Sequence, residues 1–331
     1  MYTLTSNITV GDYRFKVHEV RVHKSLNNYM DKATIKLPAS SRLKLQGQPV
    51  TESVDTAKQF SVGDKVKIEL GYDGKLNTEF EGFVSRVNFT TPVEIECEGY
   101  AWQLRHFSME GHWDKILVKD LLTLLIAGTD IILDHSVDEM PLEDFTIHMS
   151  PILGVLDYLK EHCLLSIFFR GKTMFCGLKY TEKDSQLKAA ATGADVKHVL
   201  AWNVIKDNDL KQRHAGEINT QVNLITEKQN GDKIKASVGN DGGRIINRHT
   251  IVQDSEWLKK MVMNKAKQYD FDGYEGKITT FLIPFTQPGD RSILTDNKYP
   301  ERSGDYLIES VDIQYGMSGA RRINELGIKL T

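Results

Sequence analysis

Hydrophobic and polar residues alternate most regularly in residues 62–104. In the first run Val66, Ile68 and Leu70 alternate with charged residues, and two more alternating runs follow the turn at Asp73-Gly74. Period-two alternation between Gly, Asp, Asn and Pro residues indicates half-buried antiparallel strands. The same pattern occurs in residues 8–10, 13–20 and 33–37. Because the connections are too short for helical crossovers, we predict an antiparallel β domain over residues 1–106.

Residues 39–59 interrupt this pattern. They are rich in Ser, Gln, Thr and Pro and show little periodicity. We predict a long polar loop that projects from the sheet. Loops of this length in compact domains are usually functional or disordered.

Helical spacing replaces the alternation in residues 107–180. Residues 115–127 carry leucines on one predicted helix face, and Gly128 follows as a stop. A second helix is predicted to begin at Ser150-Pro151, with Ser as the N-cap and Pro at the first helical position. A hairpin is predicted over residues 165–177. We interpret this region as a small α+β connector.

Strand patterns return in residues 181–331. Asn230-Gly231 lies between two alternating runs, which is a strong hairpin signal. One helix is predicted at about residues 255–269, and the last 60 residues again alternate. The pattern indicates a second β domain over residues 181–331 with one inserted helix.

The two β regions share an order of features that indicates an internal repeat. Gly63-Asp64 has a counterpart in Gly289-Asp290, and residues 83–89 align with residues 307–313. Both copies run from a Gly-Asp turn through a strand, a loop, an aromatic strand and a turn to a last strand. Chance similarity between antiparallel strands is the alternative.

Composition narrows the class of protein. The 42 Lys and Arg residues nearly balance the 45 Asp and Glu residues, and the net charge is −3. This balance does not indicate a basic surface for nucleic acid. No apolar run reaches the roughly 20 residues of a membrane span, and the N-terminus lacks the pattern of a signal peptide. Three cysteines do not suggest a disulfide framework. We expect a soluble protein that assembles in a reducing cytoplasm.

Motifs for catalysis are weak throughout the chain. His162 and Cys163 are adjacent, so on a helix their side chains point about 100° apart and form no dyad. No CxxC or HExxH motif occurs, and residues 239–244 lack the Lys-Ser/Thr of a P-loop. The acidic residues within 138–144 fit a solvated loop better than a glycosidase pair. We predict no enzyme activity, no catalytic residue, no metal and no cofactor.

Several stretches together resemble a known family. They are VGDKVKIELGY, FEGFVSRV, IECEGYAWQL, SPILGVLDYLKEHCLLSIFFRGKTMFCG and the final PGDRSIL…SGDYLIESVDIQYGMSGARRINELGIKL. These resemble the late-control-D and myovirus baseplate-hub proteins, a group that includes the N-terminal part of type VI secretion spike proteins. The resemblance covers essentially the whole chain. It implies a mainly β (α+β) fold of two tube-like antiparallel β-barrels joined by the small connector.

The resemblance also implies a structural role in a phage tail or injection machine. Family members form trimers with pseudo-six-fold symmetry, which adapt a hexameric tail tube to a trimeric spike. The implied partners are two further copies of the chain, a tail tube or tube-initiator protein, a spike protein and other baseplate proteins. DNA would be a partner only by passage through the lumen, and no membrane is implied. The protein would assemble in the bacterial cytoplasm and reside in the baseplate.

Two segments are the candidate contact surfaces on this interpretation. In the loop, the expected interface residues are Leu43, Leu45, Val50, Val54 and Phe60. In the late strands they are Tyr306, Ile308, Val311, Ile313 and Tyr315. Because the sequence stops at Thr331, directly after the last predicted strand, we expect the spike to be a separate polypeptide. The alternatives are a tail-tip hub of a non-contractile phage, a tail-associated cell-wall hydrolase and a soluble carbohydrate- or peptide-binding β protein.

Overall fold

The computed structural model describes residues 2–15, 17, 19–42, 44–45, 53–183, 186–189, 193–207, 209–215, 220–228, 231–239, 242–269 and 271–330. Within these ranges the chain is mainly β, with three α-helices and three short 3-10 helices. The predicted mainly β, α+β class is confirmed.

The described residues of the first β region form ten strands. They are β1 Leu4–Val10, β2 Tyr13–Phe15, β3 Glu19–Ser25, β4 Asn28–Leu37, β5 Ser40–Arg42, β6 Lys44–Leu45, β7 Ser53–Asp55, β8 Lys65–Tyr72, β9 Lys75–Asn88 and β10 Val93–Glu98. The strands pair in the order β3-β4-β10-β9-β8-β1-β2-β6. Alternate side chains of β10 (Val93, Ile95 and Cys97) are buried, as the period-two pattern requires.

The predicted long loop is wrong for the part of residues 39–59 that the structure describes. β5 pairs with β7, β6 pairs with β2, and a 3-10 helix spans Thr56–Gln59. Ladders of two or three residues need no apolar periodicity, because their hydrogen bonds join backbone groups. The polar composition therefore concealed them.

The middle region contains both predicted helices and two unpredicted strands. Its elements are β11 Ser108–Leu117, α1 Val118–Leu125, β12 Ile132–Leu133, β13 Pro141–Pro151, α2 Ile152–His162, β14 Ser166–Arg170 and β15 Thr173–Gly177. β11 and β13 form a two-stranded antiparallel ribbon, so the expected solvated loop over residues 138–144 is partly strand. The predicted β14–β15 hairpin is confirmed.

Both helix starts differ from the prediction. α1 begins three residues later than expected, because residues 115–117 belong to β11. The N-cap of α2 is Pro151, and no side chain caps the helix. The Ser150 hydroxyl instead donates to the His148 carbonyl at 3.0 Å, since Ser150 is already held in β13.

The last region completes the sheet. Its elements are β16 Tyr180–Lys183, β17 Gln186–Ala189, β18 Asp195–Val199, β19 Val204–Lys206, β20 Lys211–Arg213, β21 Thr220–Glu227, β22 Lys233–Val238, β23 Arg244–His249, α3 Ser255–Lys267, β24 Gly273–Thr280, β25 Arg291–Thr295, β26 Gly304–Gly316 and β27 Gly319–Lys329. The predicted β21–β22 hairpin is confirmed by its antiparallel register, although Asn230 lies outside the described residues. α3 is also confirmed.

Two large apolar clusters organise the chain. One lies within the β sheets of both regions and includes Ile8, Ile95, Val311 and Ile313. The other contains the buried faces of α1 and α2 together with the Leu258, Met261 and Val262 side chains of α3. The inserted helix of the second β region therefore packs on the core of the connector.

A single 15-stranded sheet contains strands of both β regions. The join is the antiparallel pairing of β3 with β26. The sequence indicated two β units but not that they would be hydrogen-bonded to each other. We call the β3·β26 pairing the seam.

Candidate assembly interface

The two Gly-Asp turns that the sequence pairs have the same hydrogen bonds. Gly63 N–H donates to the Val84 carbonyl and Gly289 N–H to the Ile308 carbonyl, both at 2.8 Å. Each glycine has a positive φ, +94° and +89°, which L-residues rarely adopt. In each turn the Asp carboxylate accepts from the backbone N–H three residues earlier, at 2.8 and 2.7 Å. The predicted repeat is therefore real at the level of backbone geometry.

The strand registers of the two copies also match. β8, β9, β10 and β4 correspond to β25, β26, β27 and β24, with the same neighbours in the same order. The equivalent pairs are Val84–Cys97 with Ile308–Leu326, Arg86–Glu96 with Ser310–Glu325, and Ile95–Ile35 with Asn324–Ile278. Both copies contain a β-bulge at the same place, at Ser85 and at Glu309. A β-bulge is a specific feature of a strand and is conserved among related folds. Its presence at equivalent positions in both copies therefore supports the internal repeat.

The seam joins the copies by six residue pairs. They run from Ser310 opposite Ser25 to Tyr315 opposite Val20. On the exposed side, His23 Nδ1 lies 2.6 Å from the Asp312 carboxylate. This hydrogen bond raises the pKa of His23 above its usual value, because the charged imidazolium is the better partner for the carboxylate. On the inner side Val22 faces Ile313, and both are buried.

A buried charge cluster links the two copies inside the sheet. Arg322 on β27 donates to Glu79 on β9 at 2.5 Å, and both side chains are 0% exposed. Arg322 also donates to the backbone carbonyls of Leu282 and Thr286, at 3.4 and 2.9 Å. A buried charge of this kind is tolerated only because it is paired and hydrogen-bonded.

Two further charged residues belong to this cluster. Burial lowers the pKa of Lys24 and raises that of Asp31 to about 7, since both charged forms lose hydration. Sequence reasoning missed the cluster. The available signal was charge at inward positions: Arg322 occupies the same alternating set of β27 as Ala320 and Leu326.

Five of the ten predicted contact residues lie in the core of this chain. Tyr306, Ile308, Val311 and Ile313 are 0% exposed, and Phe60 is 5% exposed. Phe60 contacts Tyr13 edge-to-face with ring centroids 6.0 Å apart. These five side chains therefore leave little free surface for a partner, although β26, which carries four of them, is one strand of the seam.

The remaining predicted contacts are less buried or undescribed. Tyr315 is half-buried at the end of the seam. Leu45 lies in β6 and Val54 lies in β7, but the side chains of these two residues are outside the described set. Leu43 and Val50 lie outside the described residues altogether. A contact role for these positions stays a prediction.

The described residues offer little for catalysis. The thiols Cys97, Cys163 and Cys176 are free and buried, and burial raises the pKa of each, which opposes thiolate formation. Across the described ranges, no group of three or more His, Cys, Asp or Glu side chains is placed to hold a metal ion. No helix in these ranges has the length and apolarity needed to cross a membrane.

One open cleft near α3 is charged rather than apolar. Lys179 pairs with Glu309 at 2.7 Å and Arg213 pairs with Glu275 at 2.6 Å along its wall. Lys211, Lys265 and Lys277 also line the cleft, so its wall is dominated by charged side chains. Small-molecule sites usually combine an apolar lining with a few convergent polar groups.

Comparison with known proteins assigns the class of fold. No family model and no curated protein matches the sequence. Solved structures do match, and they show that the fold is that of bacteriophage tail proteins and a type VI secretion component.

Three structures define this likeness. A tail protein from Neisseria meningitidis MC58 has a TM-score of 0.68 at 12% identity over 98% of this chain and 97% of that chain. The 43 kDa tail protein of prophage MuSo2 from Shewanella oneidensis has a TM-score of 0.62 at 13% identity, over 97% of each chain. The E. coli c3393 protein is described as a type VI secretion component with structural similarity to the T4 tail proteins gp27 and gp5. It has a TM-score of 0.56 at 8% identity, over 98% of this chain and 76% of that one.

The resemblance expected from the sequence is therefore confirmed for the fold. The similar proteins are described as tail proteins and as a component of the type VI secretion system.

Proposed function

We propose that this chain is a central baseplate hub of a contractile phage tail or a related injection system. Three copies would form a ring of six similar β units, because each chain contains two. Such a ring meets a hexameric tail tube on one side and a trimeric spike on the other. The observation that carries the proposal is the matched register of the two copies, on a fold shared with tail proteins.

The proposed mechanism is geometric rather than chemical. Three chains that each contain two equivalent β units form a ring with three-fold symmetry and approximate six-fold symmetry. Each β unit then makes a similar contact with the next unit around the ring. The buried Glu79–Arg322 pair supports this role, because it holds the two units in one fixed arrangement. The lumen would serve as a passage for DNA or an effector. Assembly in the bacterial cytoplasm and residence in the baseplate belong to the same proposal.

Light scattering on the purified protein, alone and mixed with its tube and spike partners, tests the proposal. We expect a mass of three times 37.6 kDa for the protein alone, or a complex that contains three copies of the chain in the mixed sample. Permanent assemblies of this kind bury more than about 2,000 Å² in total, so the trimer should survive dilution. A chain that stays monomeric with both partners would refute the ring.

Two alternatives have separate tests. A tail-tip hub of a non-contractile phage would give the same trimer. Isolated virions that contain the protein would have a sheath if the tail is contractile and would have none if it is not. A tail-associated cell-wall hydrolase would clear peptidoglycan in a zymogram. The buried thiols and paired charges of the described residues do not favour that activity.

A further inference from the structure

The seam uses two strand edges, and each edge has an equivalent in the other copy. We propose that these two equivalent edges pair between neighbouring subunits, so that the end of β9 in one chain receives the edge of β19 and β20 (residues 204–207 and 209–213) of the next. The proposal rests on the proposed function, because this contact would close the ring. It names the partner surface as a second copy of the same chain.

The first edge lies at the end of β9. By the matched register, Ser310 to Ile313 of β26 correspond to Arg86 to Phe89. β8 reaches β9 only as far as the pair Lys65–Phe83, so residues 86–88 have β10 as their one strand neighbour within the described ranges. β26 carries β3 at the equivalent place. An unpaired edge of this kind is a template for another strand.

Exposure follows the presence or absence of the added strand. Ile313 is 0% exposed beneath the seam, whereas its equivalent Phe89 is 75% exposed. Ser310 is 4% exposed, whereas its equivalent Arg86 is exposed. Covering Phe89 would remove a large aromatic surface from water, which favours association. The exposed phenylalanine therefore marks where a strand is missing.

The second edge lies on β19 and β20. β3 pairs with β4 through Glu19–Lys36 and His23–Lys32. β24 is the equivalent of β4. In β24, Thr279 pairs with Lys206 and Glu275 pairs with Lys211, at the positions where Lys36 and Lys32 of β4 pair with β3. Lys206 and Lys211 thus occupy the positions of Glu19 and His23. The segment between them is one residue longer than its equivalent in β3.

This second edge also carries exposed apolar groups. β20 has β24 as its one strand partner in the part of the chain that the structure describes. Ile205 is 44% exposed and the nearby Trp202 is 86% exposed. Large exposed side chains beside an open strand edge are typical of an interaction surface.

Transferring the seam register gives specific contacts. Val22 faces Ile313 and His23 faces Asp312 in the seam. The equivalent pairs across subunits are Leu210 with Phe89, and Lys211 with Asn88. Leu210 already packs against the apolar cluster of the sheet, so Phe89 would extend that cluster as Ile313 does.

A second copy fits these edges better than an unrelated strand. The two edges are the two halves of a contact that this chain already makes once internally. They lie on different β units, so the contact is heterologous and must either close into a ring or continue as a filament. Closure at three chains gives six β units.

Disulfide trapping tests the register directly. Residues directly opposite in an antiparallel pair have Cα atoms about 4.5–5.5 Å apart, within disulfide range. The double variant Phe89→Cys/Leu210→Cys should form covalent dimers and trimers under mild oxidation, with a circular trimer as the largest species. The three native cysteines are buried and leave a low background. The single variants should stay unlinked, as should the control pair Leu124→Cys/Leu210→Cys, in which Leu124 lies on α1.

A second variant tests the energetic role of Phe89. Phe89→Asp should lose the trimer in light scattering while its circular dichroism and melting temperature match those of the parent. Leu124→Asp, at a 46% exposed position, is the matched control and should keep the trimer. If Phe89→Asp does not fold, the cysteine pair decides.

The outcomes separate the two proposals. A trimer without cross-linking, with Phe89→Asp still trimeric, overturns this contact and leaves the hub function standing. Cross-linked ladders beyond three chains support the contact and overturn three-fold closure. A monomer that neither assembles with tube and spike proteins nor cross-links overturns both.

Discussion

The buried pair between Glu79 and Arg322 allows the sharpest stability prediction. We consider Arg322→Met, which keeps most of the side-chain length and removes the charge. The Glu79 carboxylate would then remain at 0% exposure without its cation. Removing one partner of a buried ion pair costs about 3–5 kcal/mol. The carbonyls of Leu282 and Thr286 also lose a donor, which places the expected loss toward about 5 kcal/mol.

Urea unfolding followed by fluorescence of the four tryptophans measures this loss. With a slope of roughly 3 kcal/mol/M, the midpoint should fall by more than about 1 M. Glu79→Gln should also destabilise. The double variant should lose less than the sum of the two single losses, because no uncompensated charge remains.

Arg321→Met provides the matched control. Arg321 precedes Arg322 on β27 and points to the opposite face, where it is half-buried. Its replacement should change the unfolding free energy by less than about 1 kcal/mol. If Arg322→Met unfolds at the same urea concentration as Arg321→Met, the inference that the buried pair holds the copies together is refuted.

Three other predictions concern Asp31, Asp254 and the cysteines. Burial raises the pKa of Asp31 to about 7. Between about pH 4 and 7 the folded state therefore keeps a proton on Asp31 that the unfolded state has lost, so the free energy of unfolding should fall as pH rises through this window. Asp31→Asn should flatten urea midpoints across that window, and an unchanged slope would contradict the assignment. Asp254 caps α3 by accepting from two backbone N–H groups at 2.9 Å, so Asp254→Ala should cost about 1 kcal/mol and Glu256→Gln far less. A thiol reagent should label no cysteine in the native protein and three in urea, and native labelling would show that the thiols are accessible. The thiols are Cys97, Cys163 and Cys176.

Local patterns predicted the elements whose causes are local. The β21–β22 and β14–β15 hairpins, α3 and the two Gly-Asp turns all follow from periodicity and turn glycines within a few positions. The elements that were missed lack such signals. β11 and β13 are polar on their exposed faces, and each is stabilised as a ribbon by the other, some 30 residues away along the chain.

The predicted contact residues show the same division. The sequence predicts a contact role for four residues of β26, because this strand is expected to face a ring. They are Tyr306, Ile308, Val311 and Ile313, and the sequence pattern correctly places them on the apolar face. Alternation cannot say which partner covers an apolar residue. Here the chain itself covers them through β3 and β27, and the uncovered position is the equivalent Phe89 in the other copy.

The sequence by itself determined that this protein is mainly β, that it contains two related β units and that it resembles tail hub proteins. Those properties are repeated along the chain, where period and order reveal them. Only the tertiary structure decided that, within the described residues, the end of β9 has β10 as its one strand neighbour. It also decided that β3 pairs with β26 and that Arg322 meets Glu79. These contacts join residues more than 200 positions apart, and no short-range pattern encodes which edges meet.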